Sequence, residues 1–143
     1  MKRVLLDINV VLDVLANREP FAGDAEALLR LVEAGAVEGL VAAHTITTLH
    51  YLLARHMGKA KSRRILTDLM QLVEVVPVDE DRLRHALGLN WVDFEDAVQA
   101  SCAEKAEADY LVTRDKKGFK KSPVKPVTPA EALALISYVP EAT

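Results

Sequence analysis
Cysteine is nearly absent: Cys102 stands alone in 143 residues, which excludes an intramolecular disulfide and suits a reducing compartment. Aromatic side chains are scarce too, with three Phe, three Tyr and one Trp, so the core must be built mainly from Leu, Val and Ala. Such a core suits helices packed on a buried parallel sheet. No long apolar run occurs. The first hydrophobic stretch, after Lys2 and Arg3, is broken at Asp7, too early for a signal peptide or membrane span. A cytoplasmic protein without a membrane partner is therefore expected. Positive charge is not in excess either, since 18 Lys and Arg against 21 Asp and Glu leave a net −3. That excludes a surface that grips nucleic acid on every side. With half its residues apolar, a chain of this length is expected to form a single domain, residues 1–143, around one core.

What is present is an alternation of short β-rich runs with longer helical patterns, the signature of stacked βαβ units. Strands are expected at Val4–Leu6, Glu38–Ala42, Val73–Val76 and Tyr110–Thr113, with a weak fifth near Val127. Helices fill the gaps. One is expected over Ala22–Ala34, ended by Gly35, followed by Thr45–Met57 and Lys59–Leu72, split at Gly58. Asp79–Leu87 and Phe94–Ala106 form another pair. The last helix starts at Thr128-Pro129-Ala130-Glu131, which supplies an N-cap hydroxyl, a proline at the first helical position and a Glu at the third.

Four acids fall where strand exits and helix starts share one edge of such a sheet: Asp7 after the first strand, Asp93 and Asp96 opening the helix before the fourth, and Asp115 just after the fourth. Ligands of open α/β sheets bind at that edge. Each acid also has a plain reading. Asp93 suits an N-cap with Asp96 at the third helical position, and Asp115 suits a turn before Gly118. Asp7 is harder to explain that way, because an acid ending a buried strand is desolvated unless paired or liganded. Clustered carboxylates raise one another's proton affinity, so the set makes physical sense around a hard divalent cation, Mg²⁺ or Mn²⁺, of the kind that activates water against a phosphate ester.

Charge distribution agrees with a phosphodiester substrate. One basic run comprises Arg55, Lys59, Lys61, Arg63 and Arg64. A second comprises Arg114, Lys116, Lys117, Lys120, Lys121 and Lys125, with Asp115 the sole acid among them. Charge runs on loops and helix faces can also be merely solvated. Read functionally, Arg114, Lys116 and Lys117 are the candidates to hold a phosphate backbone, a role that positions the strand without selecting sequence.

The opening VLLDINVVLDVL, the middle AAHTITTLHYLLAR, the segment DFEDAVQASCAEKAEADYLVTRD and the ending KSPVKPVTPAEAL together resemble a PIN domain, the family that includes VapC-type toxin ribonucleases. The resemblance spans almost the whole chain. It implies a three-layer αβα sandwich with a parallel sheet in the order 3-2-1-4-5, and a Mg²⁺- or Mn²⁺-dependent endoribonuclease that leaves 5′ phosphates. By position, Asp7, Asp96 and Asp115 match the family's catalytic acids, Asp93 and Glu95 are further acids near the third, and Asn9 and Thr113 match supporting polar residues. Thr48 departs from the pattern by standing where many members carry a Glu, which leaves open whether one metal or two bind. His44 and His50 lie nearby and read as structural. The resemblance further implies an RNA substrate, a homodimer and, for a toxin, a cognate antitoxin that buries the site with a basic residue.

Two other readings compete. A phosphohydrolase of the haloacid dehalogenase type also has an Asp after its first strand, but needs a second Asp two residues on as general acid, and Asn9 cannot donate that proton. A catalytically weak or inactive PIN domain that binds RNA or a protein partner is the alternative that Thr48 keeps open.

Overall fold
Alternation along the strands decides the layering, because successive side chains of a strand point to opposite faces. In the computed structural model, which describes residues 1–137, Val4 and Leu6 of β1 (Arg3–Leu6) enter one apolar cluster and Leu5 enters the other. In β2 (Glu38–Ala42) Val41 faces the first cluster, and Leu40 and Ala42 the second. In β4 (Tyr110–Val112) Val112 and Leu111 divide the same way. A sheet apolar on both faces must be covered on both, and the result is three layers.

The first layer holds α1 (Ile8–Leu15), α2 (Ala22–Glu33), the hairpin of α3 (Ala43–Met57) and α4 (Lys59–Leu72), and α7 (Pro129–Ser137). The second holds α5 (Glu80–Leu89) and α6 (Phe94–Lys105). With β3 (Glu74–Val76) and β5 (Lys125–Val127) the sheet has five parallel strands in the order β3-β2-β1-β4-β5. This is the order that the resemblance implied, with β1 and β4 as neighbours. Leu5, Leu40 and Leu111 are wholly buried at its centre, each stabilising the fold by about 1.5–3 kcal/mol through burial.

Local punctuation acts as expected. Gly35 follows α2 at φ 78° and Gly58 separates α3 from α4 at φ 85°, conformations that only glycine adopts without strain. Thr128 Oγ1 accepts the Glu131 amide at 3.1 Å and Glu131 Oε1 accepts the Thr128 amide at 3.0 Å, closing the capping box of α7. Boundaries differ by one or two residues at several ends, and α3 starts at Ala43 rather than Thr45. One helix lay outside the expectations. α1 follows Asp7 directly, and its β-branched residues Ile8, Val10 and Val11 favour strand by propensity although Asn9 and Asp13 stand one helical turn apart. No described helix is long and apolar enough to cross a membrane.

Candidate active site
Register brings the first two site residues together. Leu6 pairs with Val112, and the Asp7 amide continues the ladder to the Val112 carbonyl at 2.9 Å. Asp7 and Thr113 therefore leave the sheet side by side. Thr113 Oγ1 donates to Asp7 Oδ2 at 2.9 Å and accepts the Asp115 amide at 3.0 Å, so one hydroxyl ties the first acid to the backbone of the last.

The other oxygen of Asp7 is held from α6. Gln99 Nε2 donates to Asp7 Oδ1 at 3.0 Å while Gln99 Oε1 accepts the Ile8 amide at 3.2 Å. Asp7 is 3% exposed, and Gln99 and Thr113 are fully buried. Burial pushes the Asp7 carboxyl above its ordinary range, against the opposing pull of the Gln99 and Thr113 hydrogen bonds. Sequence reasoning missed Gln99. Its trace was there, a single amide three residues after Asp96 on the same helix, inside the small apolar run AVQASCA.

At the start of α6, Asp93 is the N-cap, its Oδ1 accepting the Asp96 amide at 3.0 Å. The plain capping geometry anticipated for this pair is present. Asp96 is half-buried. Burial first, then the charges of Asp93, Asp7, Asp115 and Glu95, push its carboxyl up to about 7. Glu95 is raised as well, by burial and by Asp93 and Asp7.

Asp115 caps the single 3₁₀ turn Lys116–Phe119, with its Oδ1 accepting the Gly118 amide at 3.3 Å. A Cβ on Gly118 would stand 2.9 Å from Asp115 Oδ2 and 3.2 Å from Asp96 Oδ2. The two carboxylates thus converge on that stretch of backbone, and glycine is what lets the turn approach them.

Asp7, Asp93, Glu95, Asp96 and Asp115 have no cationic partner among the described residues. The basic residues beside Asp115 are engaged elsewhere: Lys116 Nζ lies 2.9 Å from Glu131 Oε1, and Arg114 pairs with Asp13. The Lys116 ion pair helps to hold the exposed Glu131 carboxyl near 2, after the larger effect of its hydrogen bond to the Thr128 amide. Lys117 makes no ion pair among the described residues. It lines a cleft of about 370 Å³ with Lys120, Lys121, Trp91, Val92, Asp93, Asp96 and Asp115, so basic side chains and the acids share one opening.

Among the described residues no three His, Cys, Asp or Glu side chains stand close enough to grip an ion between them. The donor set still fits a hard cation. It consists of carboxylate oxygens crowded without counter-charge, one of them titrating near neutrality, and Mg²⁺ keeps several of its waters while taking one or two carboxylates directly.

The remaining expected residues lie further out. Asn9 is exposed and its Oδ1 accepts from Arg18 Nη2 at 3.2 Å, while its backbone amide favours the charged form of Asp7. Thr48 is half-buried in the second turn of α3. His50 Nδ1 sits 2.9 Å from the buried Ser62 Oγ, a tie between α3 and α4. Both ring nitrogens of His44 are shut off from solvent without a hydrogen-bond partner among the described residues, and burial lowers its pKa.

A family model described as PIN domain matches residues 3–117. No curated protein matches the sequence. Among solved structures, a toxin-antitoxin complex from Klebsiella pneumoniae contains a chain 20% identical to this one, with 88% of this chain and 97% of that chain covered at a TM-score of 0.67. VapBC-1 from nontypeable Haemophilus influenzae matches at 15% identity, 90% and 98% coverage, and a TM-score of 0.67. VapC20 from Mycobacterium tuberculosis, a sarcin-ricin loop cleaving toxin, matches at 16% identity, 76% and 86% coverage, and a TM-score of 0.61. At these identities the likeness is one of fold.

Proposed function
We propose, from the premise that this chain belongs to the PIN domain family, that it is a Mg²⁺- or Mn²⁺-dependent endoribonuclease acting at the sheet edge that carries Asp7, Asp96 and Asp115. The observation that carries this reading is the set of five acids left without a cationic partner among the described residues, of which Asp93, Asp96 and Asp115 line a cleft together with lysines. When bound, the cation supplies charge that makes water nucleophilic at neutral pH and offsets charge on the phosphate.

Asp7, Asp96 and Asp115 would hold it, directly or through its bound waters, with Asp93 and Glu95 adding negative field. The chain's own work is orientation. Gln99 and Thr113 fix both oxygens of Asp7, which keeps a buried carboxylate in one rotamer. Asp96 would have to be ionised to serve as a ligand. Lys117, with Lys120 and Lys121 on the same cleft, steadies the phosphates of an RNA strand by charge and so without sequence preference.

The toxin-antitoxin relatives of the same fold support a partner protein as the regulator of this site, one that offers a basic side chain to acids lacking their own. Pairing of two copies of the chain belongs to the same proposal. Purified protein should cut single-stranded RNA with Mn²⁺, stop when the metal is chelated, and lose cleavage in Asp7→Asn. RNA binding without cleavage in any divalent metal would favour the second reading, a PIN domain that binds without cutting, to which the Thr48 departure lends support.

A further inference from the structure
Arg114 sits between two site residues, Thr113 and Asp115, yet its guanidinium turns away from the acids. Nε donates to Asp13 Oδ2 at 2.9 Å and Nη2 to Asp13 Oδ1 at 3.3 Å, a two-point fork. Its Cζ lies 3.9 Å from the centroid of the Phe21 ring, so one face of the fork is stacked. Asp13 is 1% exposed, deep in α1, and its Oδ1 also meets Arg18 Nε at 2.9 Å. Arg18 in turn bonds the carbonyl and side chain of Asn9. One buried carboxylate thus fastens the exit of β4 to α1, to the turn after α1 and to the start of α2.

We propose that Asp13 and Arg114 are positioning residues for the candidate metal site: their ion pair sets the backbone of Thr113-Arg114-Asp115 so that the Asp115 carboxylate stands over Asp96. This assigns Arg114 a role different from the RNA contact expected of its charge, and it rests on the proposed metal-dependent function. A buried carboxylate hydrogen-bonded by Arg114 and ion-paired with Arg18 is costly to disturb, which suits an anchor. A guanidinium already forked onto Asp13 and stacked on Phe21 has little left for a phosphate.

The test compares Asp13→Asn, Arg114→Gln, Arg114→Lys and the Asp13→Asn/Arg114→Gln double variant by amide exchange, Mn²⁺ titration and metal-free RNA binding. The clamp predicts faster exchange at the Asp115 and Gly118 amides, whose acceptors are Thr113 Oγ1 and Asp115 Oδ1. It predicts Mn²⁺ affinity lower by about tenfold, no recovery in Arg114→Lys, and a double variant no worse than the singles. Metal-free RNA binding should hold. Arg114 is one-third exposed, so its variants report even if Asp13→Asn fails to fold. Unchanged exchange at both amides overturns the clamp. So does a loss of metal-free RNA binding in Arg114→Gln that Arg114→Lys restores and Asp13→Asn lacks, the pattern of a direct phosphate contact. If exchange quickens as predicted while the wild type takes up no Mn²⁺, the clamp stands and the metal reading falls.

Discussion

Gln99 grips Asp7 from the side opposite Thr113, and the same amide group closes the first turn of α1 by accepting the Ile8 N–H. A single buried side chain on α6 therefore orients the central acid and ties α1 to the opposite helical layer.

Replacing it with a side chain of similar size and no polar atoms should show this. Gln99→Met strands the Ile8 amide and one oxygen of Asp7 in the interior, and unfolding of the metal-free protein should be easier by about 1–3 kcal/mol. Urea unfolding reads the loss. A midpoint equal to that of the wild type would mean that water or a shifted Asp7 takes over both partners.

Stability should depend on pH through Asp96. Its folded-state carboxyl is raised to about 7 from an ordinary value of 3.8, by burial first and by neighbouring acids second. The folded state then holds a proton that the unfolded state has released, so Asp96 contributes stability that is complete below about pH 3.8 and is lost as pH climbs through about 7. Metal-free protein should melt at lower temperature as pH rises across that window, Asp96→Asn should flatten the slope, and saturating Mn²⁺ should remove it. A slope unchanged in Asp96→Asn would assign the effect elsewhere.

Gly118→Ala probes the convergence of Asp96 and Asp115. The added methyl would meet both carboxylates at 2.9 and 3.2 Å, and these are ends of side chains that can swing aside. The fold should tolerate the change, with a melting temperature close to that of the wild type, while Mn²⁺ affinity should fall by about tenfold. Normal affinity would show that the turn does not set the distance between the two acids.

Thr48→Glu tests the departure from the family pattern. An extra carboxylate from α3 should strengthen Mg²⁺ binding, whereas Asp93→Asn should change it little. If only Asp93→Asn alters affinity, Asp93 already supplies the charge that Thr48 lacks.

The sequence carried the architecture because its signals were local. Apolar strand runs bounded by Gly35, Gly58 and the Thr128–Glu131 box each specify one element, and the resemblance supplied the strand order that local pattern leaves open. The acids were legible because a charge ending a buried strand is a conspicuous departure from period and burial. Gln99 and the partners of Arg114 were not. A neutral amide within a helix and an Arg–Asp pair separated by 101 residues leave no trace in spacing, since only the packed layers bring them together. For the same reason the basic run after Asp115 read as uniform, whereas the fold sends Arg114 to Asp13 and Lys116 to Glu131.

The proposed activity requires that the uncompensated acids hold a divalent cation. Calorimetric titration of metal-free protein with Mn²⁺ near pH 7, in two buffers of different ionisation enthalpy, tests this most directly. Saturable binding with proton release is expected, because Asp96 must ionise, and that binding should be lost in Asp7→Asn. Absence of saturable binding by the wild type, or binding left intact in Asp7→Asn, would contradict the proposed activity.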